Sequence, residues 1–151
     1  ICFNYQNTKL YLPGIIVDLY LMYEYCINVL KIDNEQIIII TDITKQSDPL
    51  LHAVIAGIAD TNILTFINNY NQYNQYFMQI QDTINLFSKN SNIENILVYY
   101  TGHGEEGHIN IPNGHSLSLI TFRNILFETL PSCVNILWLL DCCHSSGAEL
   151  P

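Results

Sequence analysis

Two uninterrupted apolar runs constrain this chain more than any other feature, because each stops abruptly at reactive side chains. Ile136 to Leu140 (ILWLL) runs into Asp141, Cys142, Cys143, His144, Ser145, Ser146 and Gly147. Ile96 to Tyr100 (ILVYY) runs into Thr101, Gly102, His103 and Gly104. Apolar runs without polar alternation predict strands buried on both faces, the habit of parallel sheets covered by helices. In open α/β sheets chemistry collects just beyond the carboxyl ends of the strands. These two strands therefore carry the halves of a thiol–imidazole pair to one edge.

The remaining chain supplies the elements such a sheet needs. Ile1 to Tyr5 is a short strand candidate, and Leu10 to Gly14 ends in a Pro-Gly turn. Ile15, Leu19, Met22, Cys26, Val29 and Leu30 recur at helical spacing and predict one buried face over Ile15 to Leu30. Gln36 to Thr41 (QIIIIT) predicts a central parallel strand. Asp48-Pro49 is suited to opening a short helix, and His52 to Ile58 reads equally as helix or irregular chain. Tyr73, Phe77, Ile80, Ile84 and Phe87 predict a helix ahead of the Ile96 strand.

Asn113-Gly114, between Ile109 to Pro112 and His115 to Leu119, is a hairpin signal, since both residues tolerate positive φ. Ser118 then precedes a helical pattern of Ile120, Phe122, Ile125 and Leu126 that ends near Pro131. Strand, helix, strand, helix, strand, hairpin, helix, strand predicts an α/β sandwich with a mainly parallel central sheet.

Charge excludes several function classes. The net charge is -9, and the fixed cations are Lys9, Lys31, Lys45, Lys89 and Arg123. Without a basic patch, phosphate-driven nucleic-acid binding is excluded, and an acidic surface favours cationic partners such as basic peptides. No apolar run approaches the ~18 residues that span a bilayer. The five cysteines are odd in number and lack the spacing of a disulfide framework, which fits a reducing, cytoplasmic setting.

A thiol attacks a carbonyl only as thiolate, and a free cysteine titrates at about 8.5, so it needs an imidazole to take its proton. Cys143 and His103 supply that pair. Glycines flanking His103 let the chain turn sharply and a substrate approach closely. Backbone N–H groups of Gly104 and Cys143 are placed to hold a developing oxyanion.

YYTGHG (Tyr99 to Gly104) followed by LLDCCHSSG (Leu139 to Gly147) resembles the caspase-like peptidases, and among them the metacaspases most closely. ICFNY looks like that family's first strand, and LPGIIVDL (Leu12 to Leu19) is similar to its turn into the first helix. The resemblance implies that residues 1–151 are a caspase-like peptidase domain, the large-subunit portion, with the smaller half of the fold beyond Pro151. It implies His103 as base, Cys143 as nucleophile, and the Gly104 and Cys143 amides as oxyanion donors. Cys142 falls on the family's variable position.

The resemblance also implies that Asp18 and Asp141, with Thr101 beside them, line a pocket selecting Lys or Arg at P1 of a polypeptide substrate. No cofactor is implied. Family members with calcium activation carry an acidic insertion between the two motifs, whereas here that interval holds Glu105, Glu106 and few other carboxylates. Homo-oligomerisation stays open.

Other readings of the same residues compete. His103 between glycines also suits a turn, and Cys143 by itself suits a buried structural thiol. A zinc site from Cys142, Cys143, His144 and His103 is disfavoured, because adjacent cysteines rarely fit tetrahedral ligation. Asp18 also suits a solvated helix start. The rival to a peptidase is a catalytically silent caspase-fold module that binds partners or dimerises.

Overall fold

The alternation of strands and helices is realised as a mixed α/β chain. A computed structural model describes residues 1–5, 8–43, 49–65, 93–112 and 114–144, together with Met78, Gln81, Asp82, Ile84, Asn85 and Lys89. It resolves into two compact units, Ile1–Asn68 and Asn69–Pro151.

In the first unit, helix α1 (Ile15–Asn28) is followed by strand β1 (Ile39–Thr41), helix α2 (Pro49–Ile55) and strand β2 (Ile63–Thr65). β1 and β2 pair in parallel, Ile39 opposite Ile63 and Thr41 opposite Thr65. Parallel neighbours need a crossover, and α2 lies within it. Cys2 adds a parallel bridge beside Thr41, its N–H donating to the Ile40 carbonyl at 2.8 Å. The core joins Ile15, Ile16 and Leu19 of α1 to Ile39, Ile43, Leu51, Val54 and Ile58.

Three sequence expectations are corrected in this unit. The QIIIIT strand shortens to Ile39–Thr41, because Asn34–Gln36 forms a 3₁₀ turn and Gln36 Oε1 accepts the Asp33 N–H at 3.3 Å. Along α1, Ile15 and Leu19 are buried and Met22 and Cys26 half-buried, but Val29 and Leu30 are exposed. The helix ends at Asn28 with Val29 as its cap, the Val29 N–H donating to the Tyr25 carbonyl at 3.0 Å, so these two residues lie at and beyond its last turn. β2 lies in a stretch that the sequence left without a strand.

Asp42, just past β1, accepts the Asn4 N–H on Oδ1 at 2.8 Å and the Tyr5 N–H on Oδ2 at 2.7 Å. Tyr5 is fully buried at φ 56°, a left-handed conformation that a non-glycine residue holds only when its surroundings fix it. The bidentate carboxylate is that fixing group.

In the second unit, helical backbone is described at Met78, Gln81, Asp82, Ile84, Asn85 and Lys89. Tyr73, Phe77, Ile80 and Phe87 of the expected helix lie outside the described residues. Strands β3 (Asn95–Thr101), β4 (Gly104–Glu105), β5 (His108–Asn110) and β6 (Ser116–Ser118) lead to helix α3 (Leu119–Thr129) and strand β7 (Asn135–Asp141). β3 and β7 pair in parallel and in step, from Asn95 opposite Asn135 to Thr101 opposite Asp141. β4, β5 and β6 form an antiparallel sheet. Parallel pairing therefore holds for the sheet strands proper, while the hairpin segment is antiparallel.

The expected hairpin turn is present: Gly114 has φ 82°, and the Ile111 N–H donates to the His115 carbonyl at 2.8 Å. α3 buries Leu119, Phe122, Ile125 and Leu126, with Ile120 exposed instead of inward as its place in the pattern suggested. Phe122 meets Trp138 of β7 edge-on at 5.4 Å, which seats α3 against one face of the β3–β7 pair. The helix stops where Pro131 approaches, since proline cannot continue a helix and disfavours helical geometry before it.

β7 is not buried on both faces. Ile136, Trp138 and Leu140 are half-buried, whereas Leu137 and Leu139 alternate with them at 59% and 38% exposure. An apolar run reports the sum of two faces, and here only one is covered. Among the described residues, no helix is long and apolar enough to cross a membrane.

Candidate active site

The in-step pairing of β3 and β7 brings the two reactive clusters to one level. Thr101 and Asp141 are the last residues of their strands and lie opposite each other. The Gly102 N–H still reaches the Asp141 carbonyl at 3.3 Å, and Gly102 then turns at φ 154°, a conformation suited to glycine. His103 follows, half-buried, in the loop between β3 and β4. On the neighbouring strand, Cys142 is half-buried while Cys143 and His144 are exposed in the turn beyond β7.

Gly104 shows how closely the two loops approach. A Cβ placed there would stand 2.7 Å from Cys142 Sγ, 2.7 Å from the Cys143 carbonyl oxygen and 3.0 Å from Cys142 Cβ. Gly104 therefore seats against the main chain that carries Cys143, and only glycine fits the gap.

The hairpin sets the direction of the Gly104 N–H. The Asn110 N–H donates to the His103 carbonyl at 3.0 Å, and the next pair along the ladder is Gly104 with Ile109. In an antiparallel ladder hydrogen-bonded and non-hydrogen-bonded pairs alternate, so the Gly104 N–H points away from β5. Tyr100, on the helix-covered face of β3, also donates to the His103 carbonyl. That contact was not foreseen, although a tyrosine alternating with Val98 on a buried face signals a hydroxyl in need of a partner.

The two thiols differ. Burial pushes the Cys142 thiol up, and the neighbouring Cys143 and Asp141 add to the effect. Cys142 is therefore held as a neutral thiol against Gly104, while Cys143 meets solvent. All five cysteines are free.

The remaining predicted residues are placed as follows. Asp141 is exposed, and Thr101, opposite it at the end of β3, is 1% exposed. Asp18 sits half-buried in the first turn of α1, in the first unit. Ser145, Ser146 and Gly147 lie outside the described residues. Among the described residues no three His, Cys, Asp or Glu side chains are grouped to hold a metal ion.

No protein-family model matches this chain, and no curated protein is significantly similar to it.

Proposed function

We propose that this chain is a cysteine endopeptidase of the caspase-like, metacaspase-like kind, acting through Cys143 and His103. The observation that carries the reading is the seating of Gly104 against Cys142 and Cys143, which sets the histidine loop beside the cysteine loop at the carboxyl ends of two parallel strands.

In this reading His103 takes the Cys143 proton, and the thiolate sulfur attacks the scissile carbonyl carbon. The carbonyl π electrons move to oxygen, where the N–H groups of Gly104 and Cys143 stabilise the oxyanion; one such donor contributes about 3 kcal/mol. Collapse of the adduct expels the amine, which takes the proton from His103. Water, activated by His103, then hydrolyses the thioester and restores the thiol. The raised Cys142 thiol is a poor nucleophile at neutral pH, which favours Cys143.

The substrates are polypeptides with Arg or Lys at P1, recognised by the exposed Asp141 carboxylate. A part for Asp18, or for the buried Thr101, rests on the family resemblance alone. No cofactor enters, and free thiols fit a cytoplasmic setting. The exposed Leu137 and Leu139 face favours a second reading, a non-catalytic module that binds a partner or pairs with itself.

Turnover of fluorogenic peptides with Arg, Lys or Asp at P1, with and without Ca²⁺, separates the readings. Cleavage after Arg or Lys that disappears in Cys143→Ala supports the peptidase and its acidic pocket. Cleavage only after Asp removes the pocket assignment. Absence of turnover under every condition leaves the binding module.

A further inference from the structure

We infer that Tyr100 is a positioning residue that sets the plane of the His103–Gly104 peptide, and with it both the base and the oxyanion donor. The inference rests on the peptidase reading above. Tyr100 is 1% exposed, and a phenol so buried must spend its hydroxyl on an internal partner. The hydroxyl donates to the His103 carbonyl at 2.5 Å and lies 3.3 Å from the Asn110 carbonyl, so its single proton goes to the nearer oxygen. The Asn110 N–H donates to the same His103 carbonyl at 3.0 Å. One oxygen is thus held from the strand before the loop and from the strand after it.

The consequence follows from peptide geometry. Among the described residues no peptide bond is cis, and in a trans peptide the C=O and the following N–H point in opposite directions. Drawing the His103 carbonyl toward Tyr100 and Asn110 therefore turns the Gly104 N–H outward, away from β5, where an oxyanion would be bound. Glycine on each side of His103 gives this peptide few steric constraints of its own. With the hydroxyl removed, the His103 carbonyl keeps the Asn110 bond but loses its hold from β3, and the donor is less well preorganised. Tyr100 touches no substrate; it acts through this peptide.

The test is Tyr100→Phe in the full-length protein, which keeps the ring and removes only the hydroxyl. Ser116→Ala is the comparison, since Ser116 donates its hydroxyl to the Asn110 side chain and to Glu105 in the same hairpin. The readouts are kcat and KM on an Arg substrate, and the Ki of the matching peptide aldehyde, whose thiohemiacetal oxygen occupies the oxyanion position. We expect kcat to fall about tenfold or more in Tyr100→Phe with KM little changed, because displacement by a fraction of an ångström is costly in catalysis. Ki should rise in proportion, and Ser116→Ala should change neither. A loss of folded molecules lowers apparent kcat but leaves Ki unmoved, so an unchanged Ki overturns the inference. Equal losses in Ser116→Ala, or a Tyr100→Phe protein that does not fold, also overturn it by making the hydroxyl structural. Wild-type protein without Cys143-dependent turnover defeats the peptidase reading itself and this inference with it.

Discussion

Replacing Gly104 by alanine adds one methyl group at the point where the two reactive loops meet. The backbone there has no left-handed φ, so alanine suits its dihedrals and any cost arises from contact alone. The new Cβ would lie 2.7 Å from the Cys143 carbonyl oxygen, about 0.7 Å inside the 3.4 Å of ordinary contact. That oxygen is main chain, so it cannot swing aside as a side-chain tip would. The turn carrying Cys143 must move by several tenths of an ångström, and overpacking of this kind costs about 1–3 kcal/mol. A gain of about 0.4–1 kcal/mol from the stiffer unfolded chain offsets part of it. The expected net is a destabilisation of about 1 kcal/mol, or a few degrees in Tm for a chain of this size.

Turnover should suffer more than stability. An ångström of misplacement can cost about a hundredfold, so a fall in kcat of about tenfold or more is expected. Urea unfolding at neutral pH and turnover of an Arg substrate measure the two effects. Gly104→Ala with wild-type unfolding midpoint and wild-type kcat would refute the close approach of the loops and the active site built on it.

Other outcomes are specific enough to check. Cys143→Ala should abolish peptide hydrolysis and Cys142→Ala should leave most of it, and the reverse pattern in a turnover assay would exchange the roles of the two thiols. Burial pushes the Cys2 thiol from 9.0 up to about 12, so folding favours its protonated form. That stability is fully present below the unfolded thiol's value and is lost as pH rises toward the folded one, on the order of 1 kcal/mol per pH unit. Urea midpoints taken at about pH 8 and about pH 10 should therefore fall in wild type and fall less in Cys2→Ala; equal slopes would show the thiol to be solvated. Asp42→Asn leaves one carbonyl oxygen for two N–H donors and turns its amide toward one of them. A loss of about 1–3 kcal/mol is expected from the urea midpoint, and an unchanged midpoint would mean that Tyr5 holds its conformation without the carboxylate.

How much was legible follows from which residues carry local information. The hairpin was visible because Asn113-Gly114 prescribes its own backbone geometry, and α3 because Phe122, Ile125 and Leu126 repeat at helical spacing. The β1 strand was overread, since Gln36 looks like strand continuation until its side chain closes a turn on Asp33. β2 was missed because three residues give no periodicity to read. The exposed face of β7 could not be foreseen either: Leu137 and Leu139 are apolar whether or not anything covers them.

The candidate site divides in the same way. Sequence by itself determined that two apolar runs stop a few residues short of His103 and of Cys143, since composition and order fix where a hydrophobic run stops. It also determined the glycines that free the His103 loop, and the scarcity of cations along the chain. Only the tertiary structure decided that β3 and β7 are direct parallel neighbours in step, because strand pairing joins residues forty positions apart through hydrogen bonds that no local pattern encodes. It alone decided that Gly104 abuts the Cys143 carbonyl, that Cys142 is the more buried thiol, and that Tyr100 holds the His103 carbonyl. Each of these depends on distance and burial, and a chain acquires those only when its strands have found their partners.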